Sequence, residues 1–170
     1  DERVVGQKVV GISARGSSGW AVKARDEVVG LTKDNQQTGL PSIINNTVFR
    51  LEEHKPNLAT QILAMWRKRI AQDWEQKYGV KVFGFETFVV ENDTRKGCLY
   101  KADNWTLLGQ TAGSTKAHNG LENPSIRITT EPKLIFAKKI KGAKLSTQYT
   151  PTWNKKRTKQ ATAQLAMFGA

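Results

Sequence analysis

The sequence predicts an α+β domain with a mixed sheet, and three observations carry that expectation. Residues 56–78 hold one long helical pattern, with apolar side chains at Leu58, Ile62, Trp66, Ile70 and Trp74 and with Ala59 and Leu63 beside them. An apolar run, Val80–Val90, follows at once and reads as a strand buried on both faces. Shorter strand-like runs, bounded by turn residues, lie on either side. The order is strands, long helix, strand, short helix, strands, which favours helices packed on a mixed sheet.

Taken in order, residues 3–12 and 19–25 read as an antiparallel hairpin turning at Gly16-Ser17-Ser18-Gly19. Residues 30–41 are polar, with Gly39 and Pro41 marking a loop. Ile43–Leu51 reads as a strand whose Asn45-Asn46 pair predicts a bulge or a functional edge. Pro56 suits the first turn of the long helix, where its missing N–H costs nothing, and Gly79 suits the left-handed residue that ends it. Asp73 and Lys77 are spaced as an i,i+4 pair on that helix. A short helix is expected over 96–103, strands over 105–111 and 134–140, and a loop over 112–125. Residues 1–140 are read as the domain and 141–170 as a basic tail.

The chain has 170 residues and 38% apolar composition, enough for one packed core. Mean hydropathy is −0.52, and no run approaches the ~20 apolar residues of a membrane span. The chain opens on Asp1-Glu2-Arg3 with no signal-peptide pattern, and an incomplete or processed native N-terminus is expected. One cysteine, Cys98, excludes an internal disulfide, and with two histidines a Cys/His zinc site is not expected. A cytoplasmic location, in a bacterial or phage-infected cell, is the expectation, with no membrane partner and no metal.

Charge is the strongest functional signal of composition. The formal net charge is +12, and residues 131–160 hold nine Lys or Arg against one acid, Glu131. Such concentration favours a polyanionic partner, nucleic acid first and DNA favoured, over a solvated tail. Lys138, Lys139, Lys141, Lys155, Lys156 and Arg157 are the candidate contacts there, joined by Lys116 in the polar loop. Glu86 sits within an apolar strand, where a carboxylate is costly unless it is paired or functional. It is the general-base candidate, and an ion pair with Lys or Arg is the competing reading. Asn45 and Asn46 are candidates to orient a substrate amide or base edge. Asn104 is a further candidate for substrate or nucleic-acid contact, beside Trp105, itself expected in the core, and Cys98 reads as a buried inert thiol. Glu52, Glu53, Glu86, Glu91 and Asp93 have no spacing that singles out a metal site.

The segment Leu99-Tyr100-Lys101-Ala102-Asp103-Asn104-Trp105-Thr106-Leu107-Leu108-Gly109 resembles the closing part of the acyl-CoA N-acyltransferase (GNAT) fold. Five ordered stretches extend the likeness: Ile43–Leu51, Pro56–Leu63, Asp73–Gly79, Glu86–Val89 and Cys98–Gly113. Together they resemble the DruA-like family, which is associated with Druantia anti-phage systems and mobile elements. Phage Mom-type DNA modification proteins are a looser likeness. The resemblance implies a GNAT-like sheet with one long and one short helix, and an acyl-CoA such as acetyl-CoA held at the N-terminus of the long helix by Lys55, Asn57 and Thr60. It implies Tyr100 as the acid toward a departing thiolate. The stretch 54–60 departs from the N-acyltransferase pattern in lacking glycine, and the asparagine which that fold keeps before the tyrosine has no clear equivalent, Asp93 lying at the expected distance with Asn92 next to it. Three functions follow as expectations: a DNA-modifying group transferase in phage–host conflict, working with other proteins of a defence or phage system; a non-catalytic nucleic-acid-binding module of a defence or transposition assembly; and a basic structural protein of a large assembly.

Overall fold

The computed structural model describes residues 11–19, 22–52, 55–93, 95–116 and 127–147. Its central sheet has five strands in the order β1-β2-β3-β7-β4. These are β1 (Gly11–Ser17), β2 (Ile43–Leu51), β3 (Gly84–Val90), β4 (Thr106–Gln110) and β7 (Lys133–Lys139). β2 and β3 are parallel and every other neighbour pair is antiparallel, so the sheet is mixed, as the order of elements predicts. A parallel pair needs a crossover, and α3 (Leu58–Tyr78) supplies it. A small second sheet pairs β5 (Ser114–Lys116) with β6 (Arg127–Thr129), inside and just beyond the span read as loop.

Alternation along the strands sorts the core into two faces. On one, Ile44, Phe85, Leu134 and Phe136 pack against Leu63, Ile70 and Trp74 of α3 and against Tyr100 of α4 (Cys98–Ala102). On the other, Ile43 and Phe83 pack with Leu31 and Leu40. That second layer also holds α1 (Lys23–Val29), α2 (Gln36–Gly39) and a tight 3-10 turn at Leu40–Ser42. Ala143 and Leu145 pack onto this layer, so the chain past Ile140 still touches the domain.

The long helix begins at Leu58, two residues after Pro56, and ends at Gly79 with φ 68°. Its exposed pair is Arg69–Asp73 at 2.9 Å, where the sequence pointed to Asp73 and Lys77. The N-terminal hairpin is a correction. Gly16 and Ser17 lie within β1, β1 pairs with β2, and residues 23–29 form a helix. The expected strand over residues 3–10 lies outside the described residues, as do the contacts expected of Lys155, Lys156 and Arg157. Cys98 is exposed rather than buried, because the first residue of a five-residue helix points away from the face that Tyr100 fills. Among the described residues no helix is long and apolar enough to cross a membrane.

Candidate functional site: a wedge between parallel strands

β2 and β3 pair over three residues only, Ile43↔Gly84, Ile44↔Phe85 and Asn45↔Glu86. Both strands continue, β2 to Leu51 and β3 to Val90. Past Asn45 and Glu86 they are no longer each other's partners, and a wedge opens between their inner edges. A bulge contributes. The register slips between Ala14↔Val48 and Arg15↔Asn46, leaving Thr47 as the extra residue and bending β2.

The apex of the wedge is held by side chains. Asn46 and Thr87 are the first residues beyond the last register pair. Thr87 Oγ1 donates to the Asn46 carbonyl oxygen at 2.9 Å, in place of a backbone N–H. The Tyr100 phenol donates to Asn46 Oδ1 at 2.9 Å and lies 3.3 Å from Thr87 Oγ1. Asn46 Nδ2 donates into the bulge, to Ser13 Oγ at 2.8 Å and to the Ala14 carbonyl at 3.2 Å. Tyr100 is 7% exposed and Asn46 2%. Burial pushes the Tyr100 phenol above its ordinary value, while the Thr87 hydroxyl works the other way. The ring is pinned edge-on to Trp105 at 5.1 Å and stacked on Phe136 at 5.7 Å.

α4 can reach this position because Gly97 precedes it. Gly97 has φ 69°, and a Cβ there would meet the Phe136 ring at 2.4 Å. At the other end Asp103 ties the helix down. Its carboxylate pairs with Arg67 of α3 and accepts from Trp105 Nε1 at 2.7 Å, and its carbonyl accepts from Lys138 Nζ. Burial holds Arg67 below its usual basicity, and burial together with the Arg67 charge does the same to Lys138.

Glu86 faces the opposite way. Its side chain and that of Arg25 are both 0% exposed and meet at 2.8 Å. Glu86 Oε1 also accepts from the Gly19 N–H at 3.1 Å, and Arg25 is braced from α1 by Asp26 Oδ1 at 2.9 and 2.7 Å. Of the two readings the sequence left open for Glu86, the geometry is that of the ion pair. Glu86 and Thr87 are successive strand residues, so their side chains project from opposite faces of β3. The structure therefore does not bring Glu86 and Tyr100 together, and a mechanism using both on one substrate does not fit it.

The remaining candidates scatter. Lys55 and Asn57 are exposed, Asn57 with φ 60° and no side-chain cap, and Thr60 Oγ1 donates back to the Asn57 carbonyl at 2.9 Å. Six residues separate the end of β2 from the start of α3, so the free N–H groups of α3 open at the same end of the sheet as the mouth of the wedge. Asn45 lies on the Glu86 face, and its Oδ1 is buried without a hydrogen-bond partner among the described residues. Asn104 is exposed with φ 57°. Lys116 lies on β5, Lys139 packs over the Phe83 ring at 4.9 Å, Lys141 is exposed, and Lys138 turns inward. The sequence reading missed Arg25, Thr87, Ser13, Arg67 and Asp103. Only Arg25 carried a signal: a carboxylate in an apolar strand calls for a buried cation.

Fold and site define an α+β protein with a mixed five-stranded sheet, parted at its parallel pair and closed at the apex by a buried phenol. The chain belongs to the family of the Druantia protein DruA, whose profile matches residues 3–133. Its role is accordingly defence-associated. No curated protein matches the chain. Among solved structures it is similar to the C-terminal condensation domain of Ebony in complex with beta-alanyl-dopamine. The two share 12% identity, the match covers 78% of this chain and 67% of that one, and the TM-score is 0.41.

Proposed function

We propose that this protein is a GNAT-type group transferase acting on nucleic acid, DNA in the first instance, in the conflict between phage and host. The observation that carries the reading is the wedge with the Tyr100 phenol at its apex. Unpaired inner edges of two parallel strands offer backbone N–H and C=O groups to an extended, amide-bearing arm, as an exposed sheet edge does to a peptide. An acyl-CoA, when bound, supplies an activated acyl thioester on such an arm. The N–H groups opening α3, with Lys55, Asn57 and Thr60, suit its phosphate end. Pro56 has no N–H and the stretch 54–60 has no glycine, so side chains carry more of that task here. Tyr100 Oη would give the departing thiolate its proton as the C–S bond breaks, and the phenolate would take up the proton that the acceptor loses as its bond to the acyl group forms. Glu86 is occupied by Arg25 and acts as a positioning residue for α1.

A second reading, a non-catalytic nucleic-acid-binding module of a defence assembly, is favoured by that same Arg25–Glu86 pair, which removes the buried carboxylate from acid–base work. Titration with acetyl-CoA separates the two. Trp66 and Trp105 both pack on Phe85, at 5.6 and 6.3 Å, close enough to the apex for their fluorescence to report its occupancy. Saturable quenching by acetyl-CoA supports the transferase. A flat titration, with nucleic-acid binding intact, supports the module.

A further inference from the structure

A groove of about 490 Å³ runs between the C-terminal half of α3 and the chain that leaves β7. Ala71, Gln72 and Glu75 form one wall, Ile140, Gly142, Ala143 and Lys144 the other, and Lys81 and Val82 the floor. Lys81 and Lys144 are exposed, and Glu75 is the one acid of the lining. The turn Ile140–Ala143, closed by the Ala143 N–H on the Ile140 carbonyl at 3.1 Å, carries exposed Lys141 at the rim.

Two further cations lie just past the lining of the groove. Arg67 lies one helical turn before Ala71 on the same face of α3, and Lys138 lies two residues before Ile140 on the same face of its strand. These two cations share the single carboxylate of Asp103, with side chains 16%, 25% and 11% exposed. One positive charge there has no counter-charge on Asp103. Burial holds both cations below their usual basicity, and the Arg67 charge adds to the effect at Lys138. Asp103 in turn holds Trp105, which packs on Tyr100.

We propose that this groove is the track of a single nucleic-acid strand, its phosphates met by Lys81 and Lys144 in the groove and by Arg67 and Lys138 just past its lining. This rests on the reading of nucleic acid as the acceptor. A groove of about 490 Å³ has room for a segment of one strand and not for a paired duplex. A groove that presents lysines to the backbone is the electrostatic half of the chemistry by which single strands are held.

The test is fluorescence anisotropy of a labelled oligothymidine on the full chain, over a range of salt. Lys81→Gln with Lys144→Gln removes two exposed charges and leaves the core untouched. It is expected to weaken binding about tenfold and to flatten the salt slope by about 0.7 per lost contact. Glu75→Gln is expected to tighten binding. Lys23→Gln, on α1 across the sheet, is the control and changes neither. The proposal is overturned if the Lys81/Lys144 variant behaves as the Lys23 control does, or if duplex DNA of equal length displaces the strand at lower concentration. Tyr100→Phe retains this binding, so failure of the track and failure of the transfer chemistry read out separately.

Discussion

Arg25 Nη1 lies 2.8 Å from Glu86 Oε2, and neither side chain reaches solvent. The two residues are 61 apart in sequence. Their pairing joins the helix at Lys23–Val29 to the middle strand of the sheet at the level where the parallel pair ends. An ion pair so deeply buried is costly to assemble and more costly to break, because the survivor is left as an uncompensated charge.

Glu86→Gln and Arg25→Met are each expected to lower stability by about 3–5 kcal/mol. The double replacement Arg25→Met with Glu86→Leu is expected to recover much of that loss. Urea unfolding of the three variants measures it. Equal destabilisation in the single and double variants would mean that packing, not charge, fixes α1 to the sheet.

Gly97 and Gly79 make a controlled comparison. Both have positive φ, 69° and 68°, but a Cβ on Gly97 meets the Phe136 ring and one on Gly79 meets nothing within 4 Å. Gly79→Ala is therefore expected to cost about 1–2 kcal/mol from backbone conformation alone. Gly97→Ala adds a steric term of about 1–3 kcal/mol. The same urea experiment reads the difference, and it should appear with a changed near-ultraviolet signal from Tyr100 and Trp105.

Much of the scaffold was legible in the sequence. The helix at Leu58–Tyr78 and the strand at Ile43–Leu51 are long and periodic, and the Asn45-Asn46 pair announced the bulge that opens the wedge. What was not legible depended on partners distant in sequence. Lys23–Val29 carries no apolar stripe, and its fully buried residue is Arg25, held by a carboxylate on another element, so local pattern gave no reason to call a helix. The Tyr100–Asn46–Ser13 chain spans three elements that only the sheet order brings together. The opposite orientation of Glu86 and Thr87 followed from strand alternation, but what each faces did not.

Alkaline titration tests the surroundings of Tyr100. Burial raises the phenol above its unfolded value of about 10. The folded chain then holds that proton more tightly than the unfolded one. The associated stability is complete below pH about 10 and is lost as pH rises from there through the folded value. Lys138 works in the other direction, since its folded value lies below its unfolded one and stability rises with pH across that window. The difference between the protein and Tyr100→Phe isolates the phenol. The variant should lose the alkaline decline assigned to it and give up about 1–3 kcal/mol at neutral pH, because Asn46 Oδ1 loses its donor. An identical alkaline decline in both would place that proton elsewhere.

The central claim is group transfer to nucleic acid through the phenol at the wedge apex. Mass spectrometry of nucleosides from DNA and RNA of cells expressing the protein, beside cells expressing Tyr100→Phe at equal abundance, tests it most directly. The account predicts a new nucleoside mass that is lost or greatly reduced in the variant. A nucleoside profile unchanged by the protein, or a new mass as abundant with Tyr100→Phe, would contradict it.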